Sequence, residues 1–215
     1  MIDEVKELRE RKKINSTNNR IRLLRACGSA AIIDPEVNSS NKIEALLSIL
    51  RDNPHRKVIV FSQWADMIKI IDEALDKEDI SHSVVVGTGS KHKFPVKHID
   101  EDEFKKFEHE CNVMIATDAI SRSQDFPYAS VIIHVDLPWN PATIKQRIMR
   151  ARRISSSHKT IFAFNIVSQN TIEEKVLPVL QAKLKLAEDI IDNNEFQSEF
   201  ESKMDLYSLL FAESA

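Results

Sequence analysis

The chain has 215 residues, of which 42% are hydrophobic and 29% are charged, and its formal net charge is −3. These values are ordinary for a globular domain, and they exclude a strongly basic chain that coats nucleic acid along its length, so any such contact must come from a local basic patch. No apolar run reaches the roughly 18 residues of a membrane span, and two widely separated cysteines give no metal-ligand spacing, so we expect neither a membrane partner nor a metal site.

Residues 1–40 predict a helical lead-in. Charged and amphipathic patterns favour helices over 4–13 and 18–27, and a connector that contains a proline and small polar residues follows from Gly28 to Asn41.

Residues 41–170 predict alternating helices and strands. A helix is predicted over 42–51, and further helical patterns lie at 65–77, 102–109 and 141–153. Short runs rich in β-branched residues lie at 57–61, 83–86, 113–116, 131–135 and 160–167. This alternation predicts an α/β fold with a parallel sheet and helices on both faces. Ligands bind at the carboxyl ends of such strands, so function is expected in the loops after Phe61, Ala116 and Val135.

Residues 171–215 predict a C-terminal helical extension. Thr171-Ile-Glu-Glu174 is typical of a capping box, in which the Thr171 hydroxyl caps the helix and the Glu174 carboxylate reaches back. An amphipathic helix follows over 172–191 with an expected kink at Pro178, and a last helix is predicted over 195–212.

The first strand ends in Val60-Phe-Ser-Gln-Trp64, where polar residues open a helix. Ser62 can satisfy free N–H groups at the start of that helix. Alternatively, Ser62 and the helix N-terminus can hold a phosphate. Taken alone, this segment favours the local cap.

The strand at 113–116 stops abruptly at Thr117 and Asp118, and Arg122 and Asp125 follow. Polar residues belong at a strand end in any case. The functional interpretation is that Thr117 hydrogen-bonds a nucleic-acid phosphate, while the Asp125 carboxylate accepts from a ribose hydroxyl.

The segment after Val135 opens a helix that Asn140 is suited to cap, with Pro141 as its first residue. Gln146, Arg150 and Arg153 follow at spacings of four and three residues, which places them on one helix face.

This helix is also basic: residues 145–159 contain six Lys or Arg and no acid. A run of charge is usually a solvated face. Two arginines one turn apart on a helix that begins at a strand's carboxyl end nevertheless favour a phosphate clamp, because the guanidinium is planar, bidentate and permanently charged.

These three elements, in this order and spacing, resemble motifs IV, V and VI of the SWI/SNF family of superfamily-two ATPases. The likeness continues outward over roughly residues 18–190. Arg20-Ile-Arg-Leu-Leu-Arg-Ala-Cys27 is similar to the family's Leu-Arg-x-x-Cys helix, and Asn41-Lys-Ile-Glu-Ala-Leu-Leu47 to its Ser-Gly-Lys-x-x-x-Leu entry. Thr171-Ile-Glu-Glu174 resembles the entry to the C-terminal brace helix.

The resemblance implies a RecA-like (P-loop NTPase-type) C-terminal lobe over 41–170, with brace helices over 171–215. It implies that Gln146, Arg150 and Arg153 face ATP, the two arginines as arginine fingers. Asp125 is expected on the nucleotide as well. The residues expected toward the nucleic-acid backbone are Ser62, Gln63, Trp64, Thr117 and Arg122.

Two motifs depart from the family pattern. The family's Ala-Gly-Gly-x-Gly-Leu-Asn-Leu is here Ala119-Ile-Ser-Arg-Ser-Gln-Asp-Phe126, without glycine, and its Arg-Ile-Gly-Gln is Arg153-Ile-Ser-Ser156. Lost glycines remove backbone conformations with positive φ and close backbone approach. The first of these segments is closer to the Thr-Asp-x-x-x-Arg-Gly-x-Asp of DEAD-type helicases.

The chain contains no Gly-x-x-x-x-Gly-Lys-[Ser/Thr] and no Asp-Glu-x-His. We therefore expect ATP with Mg²⁺ to be bound mainly by a first, N-terminal RecA-like lobe, in the same polypeptide or another chain, without which this lobe is inactive.

The leading hypothesis is the second lobe of an ATP-dependent double-stranded DNA translocase that remodels chromatin or other protein–DNA complexes, whose subunits are possible partners. It would act in the nucleus of a eukaryote, or otherwise in the cytoplasm or nucleoid. The alternatives are a degenerate, non-catalytic lobe that binds protein or DNA, which the missing glycines favour, and half of an RNA helicase.

Overall fold

The computed structural model describes residues 21–22, 24–29, 32, 40–86, 101–118, 120, 124–152, 156 and 158–192, with the backbone alone for 184–192. The helices predicted over 4–13 and 195–212 lie outside the described residues, as do Arg122 and Arg153.

The described part of the chain alternates between strands and helices. The strands are β1 (Val58–Phe61), β2 (His82–Val85), β3 (Val113–Ala116), β4 (Val131–His134) and β5 (Phe162–Asn165). The helices are α1 (Asn41–Arg51), α2 (Ala65–Lys77), α3 (Glu101–His109), α4 (Pro141–Ala151) and α5 (Ile172–Asp192). Their bounds lie within about two residues of the predicted ones, and α5 continues through Pro178.

The five strands form one parallel sheet in the order β2-β3-β1-β4-β5. Phe61 at the end of β1 is level with Ala116 of β3 and His134 of β4, and these are level in turn with Val85 and Asn165. All five strands therefore end at the same edge of the sheet, and the loops that follow them share that edge.

Helices cover both faces of the sheet because the strand side chains alternate between two cores. In β1, Val58 and Val60 pack in a cluster with apolar residues of α1 and α2. Ile59 and Phe61 point the other way, into a cluster with residues of α3 and α4. The predicted parallel sheet with helices on both faces is confirmed.

The two edges of the sheet differ. At the β2 edge, the buried Glu103 carboxylate accepts a hydrogen bond of 3.0 Å from the Val84 N–H, which occupies a group that an edge strand would otherwise present to solvent. At the β5 edge, Phe162 is 43% exposed and the Arg56 guanidinium lies 4.9 Å from its ring centroid. The apolar pattern had predicted a covered strand, but such a pattern does not distinguish a central strand from an edge strand.

The start of α5 differs from the predicted capping box. The Thr171 hydroxyl does cap the helix, accepting from the Glu173 N–H at 3.2 Å. The carboxylate that reaches back is that of Glu173, not Glu174, and it accepts from the Ser168 N–H at 2.9 Å. The reason is tertiary, since Glu173 must face the buried Lys42 ammonium, 2.7 Å away.

The described lead-in residues 24–28 are helical and contact α2. Arg25 forms an ion pair with Asp66, and its guanidinium lies 6.0 Å from the Trp64 ring centroid. Among the described helices, none combines the length and apolar character that crossing a membrane requires.

Candidate functional site at the carboxyl ends of the strands

The sheet changes its direction of winding between β1 and β4. The chain leaves β1 toward the β2 edge, whereas it leaves β4 toward the β5 edge. Loops diverge from such a point and leave a crevice, where open α/β sheets bind ligands. The loops after β1 and β4 therefore meet at the expected position of a site.

One buried carboxylate joins these two loops. Asp136, two residues after β4, accepts hydrogen bonds from the Ser62 hydroxyl and from the Gln63 N–H, the latter at 2.9 Å. The Gln63 side-chain amide donates to the same carboxylate at 3.1 Å and to the Leu137 carbonyl at 2.9 Å. Asp136 of the β4 loop thus sets the conformation of the loop after β1.

The Ser62 side chain is fully buried and its hydroxyl is used inside the fold. Besides donating to Asp136, it accepts from the Trp64 N–H at 3.1 Å. Because Trp64 is itself the N-cap residue of α2 and the helix has no side-chain cap, Ser62 shapes the turn before the helix and does not form the predicted cap. Gln63 and Trp64 are each partly exposed at the same edge. Contact of these three residues with nucleic acid stays a prediction.

The loop after β3 brings Thr117 and Asp118 to this edge, both partly exposed. The Thr117 N–H donates to the Val85 carbonyl at 3.1 Å, which continues the sheet for one residue. The Asp118 carboxylate accepts from Nε of Arg147 at 2.6 Å. A salt bridge therefore links this loop to α4.

Arg147 is the largest fully buried side chain of the described residues. Its Nη1 lies 3.0 Å from Nδ1 of His134, and its guanidinium carbon lies 4.9 Å from the Phe61 ring centroid. Its Nη2 and the His134 Nε2 have no hydrogen-bond partner within the described part of the chain. The guanidinium is thus held from the ends of β1 and β4 as well as from the loop after β3.

Burial, and then the neighbouring Arg147 charge, lower the pKa of His134 to about 3. The imidazole is therefore neutral at physiological pH. Because a guanidinium can only donate, the His134 Nδ1 must accept, and the ring proton belongs on Nε2.

Helix α4 begins as predicted, with the Asn140 side chain accepting from the Ala142 N–H at 2.9 Å. Of its residues only Arg147 and Ala151 are buried. Gln146 and Met149 are exposed. Partly buried Ile144 packs against Val176 and Leu180 of α5, whereas the face that carries Gln146 is exposed.

Arg150 and Asp125, both predicted to serve the nucleotide, are brought together by the fold. Their side chains form an ion pair of 3.1 Å, with Arg150 22% and Asp125 44% exposed. The Arg150 carbonyl also accepts from the Phe126 N–H at 2.8 Å. A partly exposed ion pair of this kind contributes about 0–1 kcal/mol to stability. Replacing Asp125 by a phosphate as the partner of the guanidinium would therefore cost little. Their contact with a nucleotide stays a prediction.

Four residues of this edge received no role from the sequence: Asp118, His134, Asp136 and Arg147. Asp118 and Asp136 each come two residues after an apolar strand, and this pattern predicts that their carboxylates lie at the strand ends. Arg147 gave no signal, because a buried arginine inside a basic run has the same local pattern as a solvated one.

The residues present suit a phosphate better than a metal ion. The exposed face of α4 offers Arg150 as a donor to phosphate oxygens. Within the described residues, no group of three His, Cys, Asp or Glu is arranged to hold a metal ion.

A cavity of about 420 Å³ lies at the opposite, amino end of the sheet, bordered by Val58 and Val113. Its most buried cation, Lys57, already donates to the carbonyls of Phe107, Glu108 and Cys111. It is separate from the candidate site.

The helicase conserved C-terminal domain family matches residues 41–155, more than half of the chain. An uncharacterized ATP-dependent helicase of Mycoplasma genitalium is 30% identical over 206 residues, which cover 92% of this chain and 19% of that protein. Helicase swr1 of Aspergillus fumigatus is 24% identical over 194 residues, covering 90% of this chain and 11% of that protein. The chain therefore spans a fifth or less of the length of these relatives.

Two solved structures share the fold. The Sulfolobus solfataricus SWI2/SNF2 ATPase core in complex with dsDNA has a TM-score of 0.63 and 24% identity, over 81% of this chain and 37% of that one. The C-terminal domain of the Sulfolobus solfataricus SWI2/SNF2 ATPase has a TM-score of 0.60 and 21% identity, over 81% of this chain and 71% of that one.

The resemblance predicted from the three motifs is confirmed: the chain belongs to the helicase conserved C-terminal domain family, and its fold is that of the C-terminal RecA-like lobe of SWI/SNF-type ATPases.

Proposed function

We propose that this chain is the C-terminal lobe of an ATP-dependent double-stranded DNA translocase that remodels protein–DNA complexes. The observation that carries the proposal is the placement of α4. It begins at the same sheet edge as the loops after β1 and β3, and along it Gln146 is exposed and Arg150 is partly exposed.

ATP with Mg²⁺, held mainly by a first RecA-like lobe, would supply the transferable phosphoryl group. On closure of the lobes, Arg150 would exchange its weak pair with Asp125 for the γ-phosphate. Arg153, which lies outside the described residues, is the proposed second arginine finger. A guanidinium placed there stabilises the charge that develops during phosphoryl transfer. The released Asp125 carboxylate can then accept from the ribose hydroxyl.

Double-stranded DNA is the proposed nucleic acid because the Sulfolobus relative of the same fold is described in complex with dsDNA. The DNA backbone would lie along the residues predicted for it, of which Gln63, Trp64 and Thr117 are partly exposed at the strand ends. Subunits of protein–DNA complexes are the proposed protein partners. The site of action would be the nucleus of a eukaryote, or otherwise the cytoplasm or nucleoid.

A non-catalytic binding lobe is the second candidate. Two observations favour it: Arg150 already has an acidic partner within the fold, and residues 119–126 contain no glycine.

The test joins the chain to a first ATPase lobe and measures ATP turnover with duplex DNA, single-stranded DNA and RNA. We expect stimulation by duplex DNA, and a loss of at least about a hundredfold in Arg150→Ala, since arginine fingers contribute about 10³–10⁵ to turnover. Lys145→Ala is the matched control, because Lys145 is exposed on the same helix.

The other outcomes separate the alternatives. Absence of turnover with every nucleic acid supports the non-catalytic lobe. Stimulation by RNA alone overturns the DNA assignment. Full activity of Arg150→Ala overturns the assignment of the arginine finger.

A further inference from the structure

Helix α4 carries Gln146 and Arg150 and is fully buried at two positions, Arg147 and Ala151. Toward its start, partly buried Ile144 packs against Val176 and Leu180 of α5. Near Arg150, Arg147 is therefore the one large buried side chain that holds the helix against the strand ends.

The Arg147 guanidinium pairs with the Asp118 carboxylate, which belongs to another part of the site, the loop after β3. Asp118 is 36% exposed, whereas Arg147 is completely buried, and their atoms are 2.6 Å apart. A buried cation that loses its carboxylate carries a large free-energy penalty. Arg147 and Asp118 must consequently move together, so a displacement of the loop after β3 is passed to α4.

The remaining contacts of Arg147 restrict how it can respond. Nη1 lies 3.0 Å from Nδ1 of His134, and the Phe61 ring lies under the guanidinium. This environment matches a planar fork and not the point charge of a lysine. A shift of Asp118 therefore turns the guanidinium about fixed neighbours at the ends of β1 and β4.

We propose that Arg147 is a positioning residue that couples nucleic-acid contact at Thr117 to the orientation of Arg150. Thr117 adjoins Asp118, and Arg150 lies three residues after Arg147 on α4. The path from Thr117 to Arg150 therefore contains one salt bridge and less than one helical turn. The proposal deepens the proposed function and rests on it, since it assigns how nucleic acid stimulates ATP turnover.

The first test uses the chain joined to a first lobe and measures ATP turnover with and without duplex DNA. In Arg147→Lys we expect DNA affinity to stay within about threefold of wild type, and turnover without DNA to fall much less than turnover with DNA. The stimulation by DNA is expected to fall about tenfold or more. Arg152→Lys is the matched control, because Arg152 is exposed at the end of the same helix and its stimulation should be unchanged.

The second variant tests the pair as a unit. Asp118→Asn should lose stimulation to the same degree, and Arg147→Lys with Asp118→Asn should be no worse than either single variant. Wild-type stimulation in Arg147→Lys would overturn the proposal. An equal loss of turnover with and without DNA would also overturn it, since that result describes a merely structural residue.

A measurement on the chain alone separates this proposal from the proposed function. Amide hydrogen exchange over residues 143–150 is expected to accelerate at least about tenfold in Asp118→Asn, while α2 exchanges as in wild type. Unchanged exchange in α4 would overturn the coupling even if DNA stimulates turnover. Accelerated exchange in a protein whose turnover no nucleic acid stimulates would overturn the translocase function and leave the mechanical link in place.

Discussion

Two buried polar residues, Asp136 and Arg147, connect the loops at the strand ends, and each contacts residues of other elements. Asp136 accepts from Ser62 and Gln63, and Arg147 contacts Asp118 and His134. Polar groups buried in this way cost free energy unless they are hydrogen-bonded. Their value to the molecule is positional, because they hold loops that would otherwise be free at the site.

His134 should make stability fall at acidic pH. Its pKa is lowered to about 3 in the folded protein, against about 6.5 in an unfolded chain. Between these values the unfolded state binds the proton and the folded state does not, so stability falls as pH decreases from about 6.5. The contribution lost between pH 7 and pH 5 is about 2 kcal/mol.

The measurement is the free energy of unfolding in urea at pH 7 and pH 5. His134→Asn should lose about 2 kcal/mol less than wild type over this interval. His109→Asn, at an exposed position, should behave like wild type. Parallel pH dependences for wild type and His134→Asn would contradict the neutral, buried imidazole.

At the scale of elements, a charge pair that is buried on both sides joins α1 to α5. The Lys42 ammonium of α1 contacts the Glu173 carboxylate of α5 at 2.7 Å, and both side chains are 3% exposed. Lys42 also donates to the carbonyls of Val135 and Ile166, at 2.6 and 3.2 Å. The start of α5 is thereby fixed to the ends of β4 and β5.

Removal of Lys42 should loosen this junction. Lys42→Met leaves the Glu173 carboxylate buried without its cation, and we expect a loss of about 3–5 kcal/mol in the free energy of unfolding in urea. Arg51→Met is the control, because its pair with Glu78 is exposed and should contribute less than about 1 kcal/mol. Equal effects of the two substitutions would refute the role of the junction.

At the scale of the whole molecule, charge limits how the chain can meet nucleic acid. The formal net charge of −3 opposes general attraction to a polyanion, while a local run of arginines and lysines favours it. We therefore expect any binding to nucleic acid to use a small number of phosphate contacts.

We expect the chain alone to bind duplex DNA weakly and with steep salt dependence. Two to four phosphate contacts predict a log–log slope of about −2 to −4, measured by fluorescence anisotropy across salt concentrations. Arg122→Ala should reduce the slope by about one, whereas Lys105→Ala, exposed on α3, should not change it. Tight binding that salt does not weaken would contradict contact through phosphates.

Local patterns were enough to predict the elements of the lobe. The apolar run at 131–135 and the Asn140-Pro141 start of α4 appear in the structure within a residue or two of their predicted places. Helix periodicity, strand propensity and capping depend on neighbours a few residues apart, so short segments of the sequence are enough to predict them.

The pairings at the strand ends could not be predicted in this way. Ser62 and Asp136 are 74 residues apart, Arg147 and Asp118 are 29 apart, and Lys42 and Glu173 are 131 apart. The exposure of Phe162 likewise depends on strand order, because β5 lies at the edge of the sheet. Which buried charges meet depends on how the strands are arranged in the sheet, and no short segment carries that information. Composition and periodicity were therefore sufficient to predict the elements. The partners of Arg147 and Asp136 are determined only by the tertiary structure, because five parallel strands end at one edge and bring distant loops together.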